Sequence, residues 1–351
     1  MGEIGSEFWD VPQSNIENGI FPKFTQWFIS GRSALQAIIK ELKDCRTIAM
    51  PSWCCESMVK PFVDAEFEVY FYPVYLDEDL VQAVNFDCDV LFLMDYFGYT
   101  GIQPDLSGYS GVVIRDITHS FLSISYSDAD YYFGSLRKWC GVWTGGYVWT
   151  RDGHKLNVEI TNGHTNDYGY LSLRERAMQL KSEYINSQNV AEKTVDKSYL
   201  CVFNEAEEVL ETIGIVPASE RDEQVALKLD VQFIKTQRRR NAEILCKAFS
   251  DWLIFREMKE TDCPMFVPIL VPECKRNGLR QHLINNEIYC PVHWPVSKYF
   301  LNANYTDVSK KIIEKMNEIY ANELSLVCDQ RYTEADMNRM VDTIRKFWKE
   351  G

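Results

Sequence analysis

Apolar residues recur along this chain in two periods. In "GRSALQAIIKEL", Leu35, Ile38, Ile39 and Leu42 fall on one face at helical spacing, which predicts an amphipathic helix. Short apolar runs follow: "TIAM" (47–50), "EVYFY" (68–72), "VLFLM" (90–94) and "VVI" (112–114). Their length and composition predict strands. Helical or polar stretches separate them, which is the rhythm of an α/β fold with a mostly parallel sheet.

After the aromatic run "YYFGSLRKWCGVWTGGYVWT" (131–150), residues 151 to 190 turn polar, and "TNGHTNDYGY" reads as a loop. "LDVQFIKTQRRRNAEILCKAF" predicts a long helix leading out of a large domain. The last third alternates again: "MFVPILV" (265–271), a helix from Lys275, "EIYCPVHWPV", a helix after Thr306, and "LSLV" (324–327). Thr333 and Asp336 then make a capping-box-like pair. Behind them Met337, Met340, Val341, Ile344, Phe347 and Trp348 form an apolar stripe. The expected organisation is a large domain over 1–235 and a smaller C-terminal α/β domain over 236–351.

Composition changes this picture in a few places. A formal net charge of −14 argues against a nucleic-acid-binding surface, though a small anionic substrate responds to local charge. No apolar run approaches the roughly 20 residues that span a bilayer. The acidic start "MGEIGSEFWD" lacks the plan of a signal peptide, so a cytoplasmic protein without membrane attachment is expected. "MGEIGS" matches the loose myristoylation pattern, but nothing polybasic accompanies it. The eleven Cys are scattered, without a CxxC pair or a His partner at metal spacing. They read as free thiols in a reducing compartment, with no metal site. Asn304 begins a glycosylation sequon by pattern only.

Neither GxGxxG nor GxxxxGK[ST] occurs, so the usual nucleotide fingerprints are missing. Ligands in open α/β sheets bind beyond the carboxyl ends of the strands, and that rule selects a short set of residues. Gly31-Arg32-Ser33-Ala34 opens the first helix. Pro51-Ser52-Trp53 follows "TIAM". Asp95 and Phe97-Gly98 follow "VLFLM". Arg115-Asp116 follows "VVI", with His119 three residues on. Lys138 stands before a Gly145-Gly146 turn.

Together these pieces suit pyridoxal phosphate. A buried lysine amine can hold its aldehyde as a Schiff base. An aspartate at the pyridine nitrogen keeps the ring an electron sink, and an aromatic can stack on the ring. A helix N-terminus with small residues receives the phosphate. Taken singly each residue has an ordinary reading: Lys138 a solvated lysine, Asp116 a turn or cap, His119 a structural histidine, Trp53 core, Ser33 the cap of the first helix. Their order along the chain, each at a strand end, sets them apart.

These same segments resemble the DegT/DnrJ/EryC1/StrS aminotransferases over most of the chain. "SGRSALQAII" resembles that family's phosphate-binding segment, with Gly31, Arg32 and Ser33. "AMPSWCCESM" resembles the segment with the ring-stacking aromatic, here Trp53. "LFLMDYFG" resembles the family's strand and its phenylalanine-glycine turn. "VIRDITHSF" resembles the motif that implies Asp116 at the pyridine nitrogen and His119 near the ring hydroxyl. "GSLRKWCGVWTGG" resembles the Schiff-base segment, implying Lys138 as the aldimine lysine and Ser135 as a phosphate ligand.

The family spaces that serine five residues before the lysine, whereas here it lies three before. Its Gly-Tyr-Asn motif, whose Asn reaches the partner subunit's phosphate, has no counterpart; "VPASERDEQVAL" stands in that neighbourhood. Arg137 is unusual beside the lysine, and reads either as a surface arginine or as a fork for a phosphate or carboxylate. His293 and Trp294 in "PVHWPV" read either as residues of the substrate mouth or as a turn fixed by Pro291 and Pro295.

The resemblance implies an aspartate-aminotransferase-like fold of type I and a homodimer with shared active sites. It further implies amino transfer, most simply from glutamate, to a keto sugar carried on a nucleotide, as in polysaccharide or antibiotic sugar assembly. The alternatives are another reaction on the same fold, dehydratase-like, or a cofactor-binding sensor or scaffold without turnover, or an α/β interaction protein without cofactor. The dehydratases place a His where this chain keeps Lys138.

Overall fold

The computed structural model describes all residues except 1, 85–86, 102, 124–127, 159–168, 188–195, 302–308 and 351. Asn304 and most of "TNGHTNDYGY" therefore lie outside the described residues. The strands are β1 (Ile4–Gly5), β2 (Gln26–Phe28), β3 (Thr47–Pro51), β4 (Glu68–Tyr72), β5 (Val74–Leu76), β6 (Leu80–Gln82), β7 (Val90–Met94), β8 (Val112–Asp116), β9 (Tyr131–Ser135), β10 (Gly146–Thr150), β11 (Phe266–Leu270), β12 (Ile288–Tyr289) and β13 (Glu323–Val327). The helices are α1 (Gly31–Glu41), α2 (Glu56–Asp64), α3 (Tyr170–Ser187), α4 (Tyr199–Thr212), α5 (Glu220–Leu227), α6 (Val231–Ala248), α7 (Arg276–Asn285), α8 (Lys298–Leu301), α9 (Lys310–Asn322) and α10 (Glu334–Glu350).

The chain packs into two compact units. Unit 1 comprises Met1–Lys43 and Tyr131–Gln232; unit 2 comprises Asp44–Asp130 and Phe233–Gly351. The expected division at 235/236 falls beside the Gln232/Phe233 boundary, while the boundaries after Lys43 and Asp130 have no counterpart in the sequence reading.

In unit 2, β8, β7, β3 and β4 pair in that order, every pair parallel. Parallel strands are covered on both faces, so their sequences are continuously apolar rather than alternating. All five residues of β7 are buried, and its bounds are those of the apolar run "VLFLM". The register sets Met94 opposite Asp116, so the carboxyl ends of β7 and β8 are level. This is the α/β class that the strand rhythm predicts. Elsewhere in unit 2, β11 and β13 pair antiparallel, as do β5 and β6. The α10 stripe is buried at Met337, Met340, Val341 and Ile344. Asp336 accepts hydrogen bonds from the amide (2.9 Å) and hydroxyl (2.8 Å) of Thr333, the expected cap pair.

In unit 1, β10 pairs antiparallel with both β2 and β9. Helix α1 and its C-cap residue bury Leu35, Ile38, Ile39 and Leu42, each contributing about 1.5–3 kcal/mol of transfer free energy. Gly146 is forced by proximity: a Cβ there would stand 1.9 Å from the carbonyl oxygen of Ser30. Residues 170–187 and 199–212, unassigned by periodicity, form the packed helices α3 and α4. The buried face of α3 runs Tyr170, Arg174, Ala177, Met178, Lys181 and Tyr184. That face has helical spacing but carries two cations, which hid it from a hydrophobic reading.

Candidate active site

The candidate residues fall in both units. In unit 2, Asp116 ends β8 with 2 % of its surface exposed. Its Oδ1 accepts the amide hydrogen of Thr118 at 2.8 Å. Burial pushes its pKa up to about 6, Thr118 pulls the other way, and the nearby Asp95 adds to the rise. Asp95 is itself buried. Its Oδ1 accepts from Arg115 Nη1 at 2.6 Å, and its Oδ2 accepts from the Ser120 hydroxyl at 2.6 Å. Arg115 also donates to Gln103 at 2.7 Å and pairs with Asp128. A guanidinium fork thus meets the buried Asp95 carboxyl beside Asp116.

His119, also buried, accepts the amide hydrogen of Phe97 on Nδ1 at 3.4 Å. Its ring stacks on Trp294 with centroids 5.6 Å apart and planes at 19°. Trp53 is fully buried, stacks on Tyr96 at 5.0 Å and 13°, and donates its indole N–H to the carbonyl of His293 at 2.8 Å. Phe97 adopts φ 55° and Gly98 φ 81°. A Cβ at Gly98 would lie 2.0 Å from the carbonyl oxygen of Cys263, so only glycine fits this turn. Trp53, His119, His293 and Trp294 thus form one aromatic cluster in unit 2, with Asp116 at the strand end three residues before His119. A cavity of about 560 Å³, lined by Cys45, Cys88, Asp89, Tyr109 and Asp130, opens at the opposite ends of these strands. No candidate residue lines it.

In unit 1, Ser30 rather than Ser33 caps α1, accepting the Ser33 amide hydrogen at 3.1 Å. The Ser33 hydroxyl is buried against Val216, donating to its carbonyl at 3.3 Å and accepting its amide hydrogen at 3.0 Å. Gly31 and Ser135 are brought together: a Cβ on Gly31 would meet the Ser135 Cβ at 3.3 Å. Two residues expected at a phosphate therefore adjoin each other at the start of an 11-residue helix. Arg32 reaches Glu211 at 4.0 Å.

Lys138 closes a single 3-10 turn, Leu136–Lys138, directly after β9. Leu136 and Trp139 on either side are buried, and Lys138 is exposed, contrary to the expected buried amine. The turn points its flanking apolar residues inward and leaves the third position outside. Its amine has no hydrogen-bond or ion-pair partner among the described residues. Arg137 goes the other way. It pairs with Glu207, which also lies 3.5 Å from Arg174, and its guanidinium sits 5.9 Å from the Tyr170 ring centre. These acidic neighbours hold the Arg137 pKa above its usual value, against the effect of burial.

Sequence reasoning missed Asp222. Buried in α5, it accepts from the Thr144 amide and hydroxyl and from the Ser219 hydroxyl, each at 2.8 Å, and so fastens the loop that follows Lys138. Ser219 and Asp222 have capping-box spacing, and Ser219 does cap α5. That local signal was present within "VPASERDEQVAL". It also missed Glu323 and Ser325 beneath His293, which carry no motif.

Neither a protein-family model nor a curated protein sequence matches this chain. Solved structures do match it. Helicobacter pylori PseC, an aminotransferase involved in the biosynthesis of pseudoaminic acid, aligns with TM-score 0.65 at 15% identity, covering 99% of this chain and 100% of its own. A DegT DnrJ EryC1 StrS aminotransferase from Brucella abortus aligns with TM-score 0.60 at 14% identity, over 92% and 85%. The putative sugar aminotransferase Spr1654 from Streptococcus pneumoniae, in its PLP form, gives 0.58 at 12%, over 93% and 87%. The chain shares the fold of these proteins over 92–99% of its length.

Within each unit, the residues present fit a part of pyridoxal phosphate. Asp116 is a buried carboxylate that a cationic ring nitrogen would hold ionised. Gly31 and Ser135 adjoin at a helix N-terminus, where backbone N–H groups favour a phosphate. Lys138 offers a primary amine.

Proposed function

We propose that this chain is a pyridoxal-phosphate-dependent aminotransferase that moves an amino group, most simply from glutamate, to a keto sugar carried on a nucleotide. One observation carries the reading: the buried Asp116, its pKa raised, ends a central strand in a fold shared over almost the whole chain with solved aminotransferases.

In this reading residues 1–235 form the cofactor-binding domain and 236–351 the smaller one. Lys138 would hold the cofactor through its amine, Asp116 would face its ring nitrogen, and His119 would lie at the ring hydroxyl. Trp53 packs on the ring, while Gly31, Arg32, Ser33 and Ser135 form the phosphate end. Arg137, His293 and Trp294 belong to the substrate end. The bound cofactor supplies an electron sink. The chain would supply the rest: Asp116 would keep that sink charged, and the Lys138 amine would carry the proton from the donor's α-carbon to the cofactor's former aldehyde carbon rather than back, so that the nitrogen stays behind and the donor leaves as a keto acid. The protein acts in the cytoplasm as a homodimer with shared sites.

The test is spectroscopic. Purified protein with added pyridoxal phosphate is expected to gain a near-visible band that borohydride removes and glutamate shifts. Keto sugars on nucleotides, offered afterwards, are expected to restore it. Protein that takes up no cofactor overturns the proposal.

The Ser33 hydroxyl held by Val216, with the missing Gly-Tyr-Asn motif, supports a second reading: a cofactor-binding protein without turnover. A band that glutamate leaves unchanged favours it.

A further inference from the structure

We infer that Glu323 is a positioning residue for His293, setting through the Ser325 hydroxyl which ring nitrogen of that imidazole carries its proton. The three residues are joined in unit 2. Ser325 Oγ lies 2.5 Å from Glu323 Oε1 and 2.8 Å from His293 Nδ1. Glu323 Oε2 accepts the His293 amide hydrogen at 2.7 Å, so the carboxyl grips both the backbone and, by way of Ser325, the ring. Glu323 and Ser325 have no exposed surface, so water does not compete for either.

The coupling follows from proton counting. A serine hydroxyl has one proton to give. An ionised Glu323 can only accept, so the hydroxyl proton points to Oε1, and the Ser325 lone pair is left for an N–H on Nδ1. A Glu323 protonated on Oε1 instead donates to Ser325. The hydroxyl then turns to Nδ1, and the proton of the neutral ring sits on Nε2. One hydroxyl cannot serve both arrangements, so they exclude each other.

Both charge states are accessible near neutrality. Burial pushes Glu323 up to about 8, while Ser325, the His293 amide and Arg276 oppose the rise. The surroundings do not quench the carboxyl. From α7, Arg276 donates to the Glu323 carbonyl at 3.0 Å, and Arg280 donates to the Cys290 carbonyl at 3.3 Å. The Cys290 thiol is pushed by burial up to about 12 and stays neutral. From α9, Tyr320 offers a carbonyl to Arg276, and from β11 Phe266 packs its ring 5.0 Å from His293. His119 is the other imidazole against His293, centroids 5.8 Å apart.

The consequence rests on the proposed function. A Glu323 proton decides whether His293 Nε2 is a donor or an acceptor, and hence which oxygen of a sugar acceptor, carbonyl or hydroxyl, it suits.

The experiment uses the full chain without cofactor, labelled with ¹⁵N-histidine. Proton–nitrogen correlation spectra report the tautomer, followed from about pH 7 to about pH 9, and His293→Gln identifies the signal. The wild type is expected to pass from mainly Nε2–H to mainly Nδ1–H with a midpoint near 8. Ser325→Ala is expected to uncouple the ring from pH, and Glu323→Gln to hold one pattern throughout. Glu323→Gln preserves volume and carries the test if the alanine variant is too unstable. Persistence of the pH-driven exchange in both variants overturns the inference, as does a wild-type pattern constant over the range. Since no cofactor is added, a coupled tautomer in a protein that binds no pyridoxal phosphate would leave this relay standing and sink only the proposed function.

Discussion

Asp222 holds Thr144 twice, at its amide and at its hydroxyl, both 2.8 Å from Oδ2. These residues are 78 positions apart, and the contact fastens the loop between Lys138 and β10. Replacing Asp222 with Ala leaves buried Thr144 groups without an acceptor. The expected loss of stability is on the order of 2–4 kcal/mol, read from urea unfolding midpoints. Asp222→Asn keeps one acceptor and is expected to lose less.

Lys138 is exposed and unpaired among the described residues, so Lys138→Ala is expected to change stability by no more than about 0.5 kcal/mol. The same variant is expected to lose the borohydride-sensitive band entirely. A variant that unfolds, or one that keeps the band, contradicts the role given to this amine.

Asp116 makes a signed pH prediction. Its folded pKa, about 6, stands above the ordinary aspartate value of 3.8, so the native state binds the proton more tightly than the unfolded chain. Stability of the cofactor-free protein is therefore expected to fall as pH rises from about 4 to about 6, by an amount on the order of 3 kcal/mol. Asp116→Asn removes that part of the profile, so wild type minus variant isolates it. A cationic ring nitrogen favours the ionised carboxylate, so pyridoxal phosphate binding is expected to strengthen over the same window.

Arg137 and Glu207 form an ion pair beside Tyr170, with the arginine side chain 13% exposed. A double-mutant cycle with Arg137→Ala and Glu207→Ala is expected to give a coupling of about 1 kcal/mol. A coupling of zero would free this guanidinium for a substrate anion.

The Asp95–Arg115 pair is buried on both sides, with side chains 1% and 3% exposed. Arg115→Met leaves the buried Asp95 carboxyl without its guanidinium, next to Asp116. A loss of about 3–5 kcal/mol is expected, measured by thermal or urea unfolding. A large part is expected to return in the Asp95→Asn/Arg115→Met pair.

The sequence by itself determined where the central strands and the helices α1, α6, α7, α9 and α10 lie. Strand β7 coincides with its apolar run, and the buried faces of α1 and α10 are those that helical spacing marks. The Thr333–Asp336 cap is equally local. Such features depend on residues within a few positions of one another, and burial of a contiguous pattern leaves little choice of conformation. It also put Asp116 at a strand end, because strand boundaries are local.

Tertiary structure alone decided what each polar side chain does. Ser33 is bound by Val216, 183 residues away, and Arg137 by Glu207, 70 away; His293 rests on Ser325 and Glu323 of strand β13. Helix α3 was hidden for the same reason. Its buried face includes Arg174 and Lys181, which read as solvent-facing until the folded chain supplies Glu207 and Glu3 as partners. A charge can be buried only where an opposite charge meets it, and which segment brings that partner is set by packing rather than by neighbouring residues.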